Sequence, residues 1–365
     1  KKHAYQNKTW SLPVSNLRIA TVIGARPQFV KAAPLSLEIA NTSGIEEVSI
    51  HTGQHYDAKM SDIFFSDLAL PKPAYNLGIG GGTHGKMTGQ MLAAIEEVLL
   101  NEAPDAVLVY GDTNSTLAGG LAATKLHIPV IHVEAGLRSF NRKMPEEVNR
   151  VMVDHISTLL FCPTVTSVEN LTREGITEGV HQVGDLMFDA TLALSPIAEE
   201  RSNLLDELTL TPKSYCTATL HRADNTESPE AIERALSYMI ECANGKEVVI
   251  PVHPRTRIAA KRFGISIERP GLRAIEPLGY LDMIMLAKNA SMIFTDSGGL
   301  QKEAYFHGVP CVTLRSETEW TETVSAGWNR LWSDENYLSK HDIVEYGDGR
   351  SAQKMVNVIR GWLAH

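Results

Sequence analysis

The sequence lacks three features that would each point to a large class of proteins. It has no apolar run near the ~18 residues of a membrane-spanning helix, which argues against a membrane protein. It has no basic excess, because 34 Lys and Arg stand against 43 Asp and Glu. Nucleic acid is therefore not expected as a partner, since phosphate backbones are bound by clustered basic residues. Only four cysteines occur, without a CxxC pair, so we expect reduced thiols in a cytoplasmic protein.

Several catalytic and cofactor motifs are missing as well. The first strand is not followed by GxGxxG, and neither HExxH nor a cysteine-rich metal spacing occurs. A GxSxG nucleophile elbow is also absent. The sequence therefore gives no indication of a dinucleotide, a metal site or a serine hydrolase.

From Leu17 onward, short apolar runs alternate with helical segments, a pattern typical of α/β proteins with parallel, doubly wound sheets. The pattern restarts near Tyr215, which predicts two Rossmann-like domains, at 17–188 and 189–350, followed by a helix at 351–365. The predicted strands are RIATVIG, VSIHTG, DAVLVYGD, IPVIHVEAG and TLLFCPT, then YCTATLH, EVVIPVH, SMIFTD and VPCVTL. The predicted helices of the first domain are 27–40, 56–68, 86–100, 115–126 and one that begins at Pro145.

Candidate site residues in the first domain follow its strands, because ligands of open α/β sheets bind beyond the carboxyl ends of the strands. Arg26 and Lys31 lie near a helix N-terminus, where the helix dipole and free N–H groups favour an anion. Asp112 and Glu134 each follow a strand. We expect burial to raise the pKa of Glu134, which would suit it to acid or base catalysis.

The helix PEEVNR contributes further charged residues. Glu146 and Arg150 stand at positions i and i+4 and share one helix face. Asp112, Glu134 and Glu146 could therefore converge on one side of a cleft between the two domains.

The second domain offers TLHRADN and TDSGGLQKEA. His221 can act as a general acid or base, and both His221 and Arg222 can bind phosphate. In the second motif, Ser297, Gly298 and Gly299 precede a helix whose N-terminus a diphosphate could approach closely. Glu303, one helical turn later, could hold ribose hydroxyl groups.

Each of these features also has a purely structural interpretation. Arg26 could be a surface residue, and Asp112 could only cap the next helix. Glu134 could form an ion pair with Arg138, and Arg138 could also, with Arg142 and Lys143, merely solvate its loop. The Gly-Gly turn could be an ordinary strand-to-helix junction.

Taken together, the motifs resemble the non-hydrolysing UDP-N-acetylglucosamine 2-epimerase family. The resemblance runs from about Leu17 to the last helix and rests on motifs that occur in order. These motifs are GARPQFVKAAPL, GQH, GDTNSTLAG, HVEAGLR, PEEVNR, HRADN, HP and DSGGLQKEA. The resemblance implies a GT-B-type fold with a cleft between the domains, a C-terminal helix that returns to the first domain, a homodimer and no cofactor.

The resemblance also implies a reaction. A base removes the C2 proton of a UDP-2-acetamido sugar while UDP leaves C1, and UDP then adds back with protonation on the opposite face. Asp112 or Glu134 would remove the proton. By motif position, the acid/base group would be Asp112, Glu134, Glu146 and His221. The ligand would be positioned by Arg26, Lys31, Arg150 and Arg222, and UDP would be held by Ser297, Gly298, Gly299 and Glu303.

One departure from the pattern bears on the substrate. Members specific for UDP-N-acetylglucosamine usually have ERPE after the SGG helix, whereas this chain has ETEWTE, with Trp320 in place of the Arg. That form resembles the branch that acts on UDP-2,3-diacetamido-2,3-dideoxyglucuronic acid in O-antigen synthesis. A GT-B glycosyltransferase and a non-catalytic nucleotide-sugar-binding module are the competing hypotheses, and neither needs three converging carboxylates.

Overall fold

The computed structural model describes residues 16–54 and 72–363 and contains two sheets in which all strands are parallel. The strands of the first sheet are β1 (Leu17–Ile23), β2 (Ile45–His51), β3 (Tyr75–Asn76), β4 (Ala106–Tyr110), β5 (Val130–Val133), β6 (Leu159–Cys162) and β7 (Val180–Gln182). Their spatial order is β3-β2-β1-β4-β5-β6-β7. The order reverses direction between β1 and β4, as it does in doubly wound Rossmann sheets.

The second sheet repeats this arrangement. Its strands are β8 (Tyr215–Thr219), β9 (Glu247–Pro251), β10 (Leu272–Ile275), β11 (Ile293–Thr295), β12 (Cys311–Thr313) and β13 (Asn329–Leu331). Their order is β10-β9-β8-β11-β12-β13, so the direction reverses between β8 and β11. The carboxyl ends of β1, β4, β8 and β11 are therefore the positions at which a doubly wound sheet binds ligands.

Helices cover both faces of each sheet. On the first sheet they are α1 (Arg26–Ala40), α2 (His84–Glu102), α3 (Asn114–Lys125), α4 (Pro145–Ile156), α5 (Val165–Arg173) and α6 (Leu186–Arg201). The helices later in the chain are α7 (Leu204–Glu207), α8 (Ala223–Thr226), α9 (Pro229–Cys242), α10 (Pro254–Phe263), α11 (Tyr280–Asn289), α12 (Gly298–Phe306), α13 (Thr321–Ser325) and α14 (Ser351–Leu363). A 3₁₀ turn, Val344–Tyr346, precedes α14. None of the helices within the described residues is both long and apolar enough to cross a bilayer.

The inner strands are apolar on both faces because both faces are covered. All five residues of β4 are buried, with side chains alternating between two hydrophobic clusters. Leu108 and Tyr110 pack with α1, α6 and α14, whereas Val107 and Val109 pack with α2 and α3. Continuous apolar runs of this kind are typical of parallel strands that are buried on both sides.

Two helices connect the halves of the chain. Helix α6 extends across the predicted boundary between residues 188 and 189 and packs against both α1 and α11. Helix α14 packs against α1 through Met355, Val356 and Ile359. The position of the domain boundary stays a prediction.

The predicted α/β fold with two doubly wound domains is confirmed, and all nine predicted strands are present. The sequence pattern did not reveal β3, β7, β10 and β13, which have two to four residues each and are the edge strands of the two sheets. The helix predicted at 56–68 falls outside the described residues.

Candidate active site

Asp112 lies two residues after β4 and faces α4. Its carboxylate pairs with the guanidinium of Arg150, and its side chain is 29% exposed. The next residue, Thr113, is the N-cap of α3, because its hydroxyl oxygen accepts a hydrogen bond from the N–H of Thr116 at 3.3 Å. Asp112 is thus not the capping residue. Its carboxylate lies just beyond the carboxyl end of β4, paired with Arg150.

Glu134 directly follows β5 and has a backbone φ of +70°, which non-glycine residues rarely adopt. Its carboxylate pairs with Lys31 of α1 and lies 2.8 Å from the Nζ of Lys302. Burial alone would raise the pKa of Glu134, but the two lysines outweigh burial and lower it to about 2. The prediction that the pKa is raised was therefore wrong, because sequence position showed the burial but not the partners.

Lys302 brings the second half of the chain against Glu134. This side chain is fully buried, and its Nζ also lies 2.6 Å from Asp185 Oδ2. The ammonium lies 3.8 Å from the ring centroid of Trp320, a cation–π distance. The other oxygen of Asp185 caps α6 by accepting a hydrogen bond from the N–H of Met187 at 2.7 Å.

The charged loop between β5 and α4 is a structured segment. Arg138 is buried and donates hydrogen bonds to Asp154 Oδ2 at 2.7 Å and to both carboxylate oxygens of Glu174. Asp154 also contacts His132 Nδ1 at 2.7 Å. Both suggestions for Arg138, an ion pair with Glu134 and solvation of the loop, were wrong, because Arg138 ties the loop to α4 and to the end of α5.

The two adjacent glutamates of α4 differ in environment. Glu147 is buried and accepts hydrogen bonds from the backbone N–H groups of Ser139 and Phe140, both at 2.9 Å, and from Arg150 at 3.0 Å. Glu147 is therefore the structural member of the pair. Glu146 is half-buried on the same first turn.

The start of α1 supplies the remaining first-domain residues of the candidate site. Gln28 orders the turn before the helix, because its Oε1 accepts hydrogen bonds from the N–H groups of Gly24 and Ala25 at 2.8 and 3.0 Å. Arg26 begins α1, and its side chain lies outside the described part of the structure. Lys31, on the next turn, reaches Glu134.

His221, just after β8, is oriented by Asp296. Its Nδ1 lies 3.1 Å from Asp296 Oδ1, and the N–H groups of His221 and Arg222 both donate to Asp296 Oδ2 at 2.9 Å. Asp296 is fully buried, and although burial opposes ionisation, His221 and these N–H groups lower its pKa. The His221 side chain is 34% exposed, and an imidazole that is held by a buried carboxylate and remains accessible suits general acid or base catalysis.

The Gly-Gly turn lies directly against a buried carboxylate. Ser297 is the N-cap residue of α12, and a Cβ on Gly298 would lie 2.5 Å from Glu319 Oε1 and 3.1 Å from Trp320 Nε1. Among the residues that the structure describes, the atom nearest to a Cβ on Gly299 would be Ser297 Oγ at 4.0 Å. Gly298 is thus required by close packing, whereas space remains beside Gly299.

Two further residues define this side of the cleft. Glu319 pairs with Arg315 at 2.9 Å, and although burial would raise its pKa, Arg315, Arg150 and Arg222 lower it to about 2. Glu303, one turn into α12, is buried and accepts a hydrogen bond from Tyr280 at 3.1 Å.

Sequence reasoning missed four residues of the site: Asp185, Asp296, Lys302 and Glu319. Asp296 and Lys302 lie within the quoted TDSGGLQKEA motif, and their position at the end of a predicted strand and in the following helix is the signal that could have identified them. Glu319 lies within the quoted ETEWTE segment, whereas Asp185 carried no local signal because its partner Lys302 is distant in sequence. Within residues 16–54 and 72–363, no group of three or more His, Cys, Asp or Glu side chains is arranged to hold a metal ion.

The fold and site define a GT-B-type α/β protein with ionic side chains at the carboxyl ends of both sheets. Residues 37–360 match the family described as UDP-N-acetylglucosamine 2-epimerase, and the chain belongs to that family. It is 51% identical over 359 residues to a UDP-N-acetylglucosamine 2-epimerase homolog of Methanococcus maripaludis, covering 94% of this chain and 99% of that protein.

Two more relatives bear on the substrate. The chain is 49% identical over 319 residues to the UDP-2,3-diacetamido-2,3-dideoxy-D-glucuronate 2-epimerase of Pseudomonas aeruginosa, covering 86% of this chain and 88% of that protein. The crystal structure of Methanocaldococcus jannaschii UDP-GlcNAc 2-epimerase in complex with UDP-GlcNAc and UDP matches with a TM-score of 0.87 and 42% identity. That match covers 94% of this chain and all of the other.

Proposed function

We propose that this protein is a non-hydrolysing UDP-N-acetylglucosamine 2-epimerase, an isomerase that inverts C2 of a UDP-2-acetamido sugar. The observation that carries the proposal is the placement of Asp112 and Glu134 at adjoining strand ends, each paired with cations, opposite the Gly-Gly turn of α12. A binding module would need the turn but not this pair of carboxylates.

The chemistry explains why carboxylates and cations occur together. The C2 proton of a nucleotide sugar is not acidic, since no carbonyl adjoins C2 in the ring. Elimination avoids this difficulty: a base takes the C2 proton, the C1–O bond to UDP breaks, and a C1–C2 double bond forms. UDP then adds back to C1 while C2 is protonated from the other face, so atoms and charge balance. Such a reaction needs a base, an acid and cations that hold the departing diphosphate.

We infer that Asp112 takes the C2 proton. Its side chain is partly exposed at the strand ends, whereas Glu134 is almost enclosed and has a pKa of about 2, which makes it a weak base. An ionised Glu134 is better suited to stabilise positive charge that develops at C1 as UDP leaves. His221 and Glu146 are the candidates for proton transfer on the other face.

The second domain would hold UDP. A diphosphate fits the N-terminus of α12 at Ser297, Gly298 and Gly299, because the free N–H groups and the helix dipole favour an anion there. Glu303 is placed for ribose hydroxyl groups one turn later. Arg222 of the second domain and Arg26, Lys31 and Arg150 of the first would neutralise the diphosphate while it is detached.

A product assay tests this function. Incubation with UDP-N-acetylglucosamine should yield a mixture of the gluco and manno isomers without net accumulation of UDP. A glycosyltransferase would instead accumulate UDP in proportion to transferred sugar, and a binding module would leave the substrate unchanged. Accumulation of UDP would contradict the proposal, and so would the absence of reaction with both this sugar and the second candidate substrate described below.

A second candidate substrate is UDP-2,3-diacetamido-2,3-dideoxyglucuronic acid. Trp320, buried beside the Gly-Gly turn, and the 49% identity to the Pseudomonas aeruginosa enzyme favour it. The same product assay with both substrates in parallel distinguishes them, since the preferred substrate will show the higher kcat/KM.

We also infer that the enzyme works as a homodimer in the cytoplasm. All four cysteines, Cys162, Cys216, Cys242 and Cys311, are free thiols, which fits a reducing compartment. Sedimentation velocity will show about twice the mass of one chain if the dimer forms.

A further inference from the structure

Lys302 is a fully buried lysine for which the proposed reaction has no step. Its ammonium group has three N–H donors. Three neighbours surround the group: Glu134 Oε1 at 2.8 Å, Asp185 Oδ2 at 2.6 Å, and the face of the Trp320 ring with its centroid at 3.8 Å. The ring is itself 3% exposed, so it closes the site without adding charge. The position of the ammonium is therefore fixed by three different segments of the chain.

These contacts join two parts of the fold. Lys31 and Glu134 belong to the first sheet and its helix α1, whereas Lys302 belongs to α12, which follows β11 of the second sheet. Together with Asp185, they form a cluster of two cations and two carboxylates, which is neutral overall. Moving the second domain away from the first would withdraw Lys302 from Glu134 while Lys31 stayed in place.

We propose that Lys302 is a positioning residue that keeps Glu134 ionised and fixed at the reaction centre, through a contact that joins the second sheet's helix α12 to the first sheet. The proposal rests on the proposed function, because Lys302 acts through a carboxylate of that site.

The electrostatic reason is the balance around the Glu134 carboxylate. Burial raises its pKa, and Lys302 is the strongest influence in the opposite direction, ahead of Lys31. Without Lys302, only Lys31 would oppose burial, and the pKa of Glu134 would rise. A single opposite charge within hydrogen-bonding distance commonly shifts a carboxylate pKa by about 1–3 units.

The test compares Lys302→Met/Asp185→Asn with Asp185→Asn alone. The double variant removes one buried cation and one buried carboxylate, so no uncompensated charge remains, and Asn can still cap α6. The two proteins differ only at Lys302. Exchange of the substrate C2 proton with solvent is measured from pH 4 to 9 in both and in the wild type.

Because the pKa of Glu134 is about 2 in the wild type, its titration lies below this range, and Asp185→Asn should keep the wild-type profile from pH 4 to 9. In the double variant, we expect the loss of exchange on acidification to begin at least about one pH unit higher than in Asp185→Asn. Lys302→Arg, which keeps the charge, should retain the wild-type profile even if its kcat falls. The proposal would be overturned if the double variant and Asp185→Asn lost exchange at the same pH. It would also be overturned if the loss in Lys302→Arg moved as far as it does in the double variant.

A measurement that needs no turnover separates this proposal from the proposed function. A carboxylate with a lowered pKa contributes stability that is present above its unfolded pKa, about 4.3, and is lost as pH falls toward the folded value. Between pH 5 and pH 3, Asp185→Asn should therefore lose more unfolding free energy than the double variant. Equal losses would contradict the role of Lys302, whereas absence of C2–H exchange in the wild type would contradict only the proposed function.

Discussion

At the scale of single residues, the site consists of charges that are buried in pairs. Asp112 with Arg150, Glu134 with Lys31 and Lys302, and Asp296 with His221 each place a carboxylate beside a cation or an orientable imidazole. Breaking a buried pair is costly because the remaining charge loses its compensation. These pairs therefore fix both the geometry and the ionisation of the candidate catalytic groups.

Asp112→Asn should abolish most turnover while leaving UDP affinity near the wild-type value. The amide cannot accept the C2 proton, and loss of a general base typically costs about 10²–10⁴ in rate. Arg150 keeps Glu147 as a partner, so the fold should persist. Calorimetry with UDP and a turnover assay check this, with Glu169→Gln, an exposed position on α5, as the control. Loss of UDP affinity in Asp112→Asn would contradict the assignment of Asp112 to proton transfer.

Arg138→Ala and Arg142→Ala should differ sharply in stability although both arginines lie in one loop. Arg138 is buried between Asp154 and Glu174, whereas Arg142 is exposed. Removing Arg138 should cost about 3–5 kcal/mol of unfolding free energy, because a buried carboxylate loses its cation. Removing Arg142 should change stability by no more than about 0.5 kcal/mol. Urea denaturation at pH 7 checks both, and equal losses would mean that the buried network does not hold the loop.

At the scale of elements, the strand-to-helix junctions position the functional groups. The turn between β11 and α12 brings Gly298 so close to Glu319 and Trp320 that no side chain fits, while Gly299 has open space beside it. The two glycines should therefore respond differently to the same substitution.

Gly298→Ala should destabilise the protein by about 1–3 kcal/mol, as expected when an extra methyl group is forced into a packed site. Gly299→Ala should be neutral or stabilising by up to about 1 kcal/mol, because alanine is the better helix former. Thermal unfolding compares the two. UDP titration of Gly299→Ala then shows whether a ligand occupies the open space: unchanged affinity would mean that the diphosphate does not approach Gly299.

The elements themselves were largely predictable from sequence. Strands such as AVLVY in β4 are apolar on both faces, which is typical of a parallel sheet that is covered on both sides. The short strand β3 could not be predicted, since two residues carry no periodicity. The partners of Glu134 were not predictable either, because Lys302 lies 168 positions away and reaches it only through the packing of the two sheets. Local sequence indicated which residues end the strands but not which charges meet there.

At the scale of the whole molecule, the buried carboxylates make stability depend on pH. Despite burial, neighbouring cations lower the pKa values of Glu134 and Glu319 to about 2, and that of Asp154 is lowered by His132 and Arg138. Carboxylates whose folded pKa is lowered contribute stability above their unfolded values, near 4, and lose it as pH falls.

The unfolding free energy should therefore fall steeply between about pH 4.5 and pH 2.5. Urea denaturation across this range checks the prediction. Glu169→Gln, which removes an exposed carboxylate, should show the same slope as the wild type. A flat profile down to pH 3 would mean that the buried pairs do not hold their carboxylates ionised.

Glu322 should have the opposite effect on the pH dependence of stability, because its pKa is raised rather than lowered. Burial raises its pKa to about 7, although Tyr346 donates a hydrogen bond to it at 2.8 Å. A raised pKa contributes stability that is present below the unfolded value and is lost as pH rises through 7. Glu322→Gln should therefore gain stability relative to the wild type as the pH rises from about 5 to about 7, as measured by urea denaturation. A constant difference across that range would show that Glu322 does not titrate there.

The central claim is that the enzyme breaks and remakes the C2–H bond while UDP is detached and held. Proton NMR of UDP-N-acetylglucosamine with the enzyme in D₂O tests it most directly. We expect loss of the C2–H signal, appearance of the manno isomer with deuterium at C2, and no lasting accumulation of UDP. Accumulation of free UDP with the C2–H signal intact would contradict it, since the sugar would then have been transferred or hydrolysed without reaction at C2.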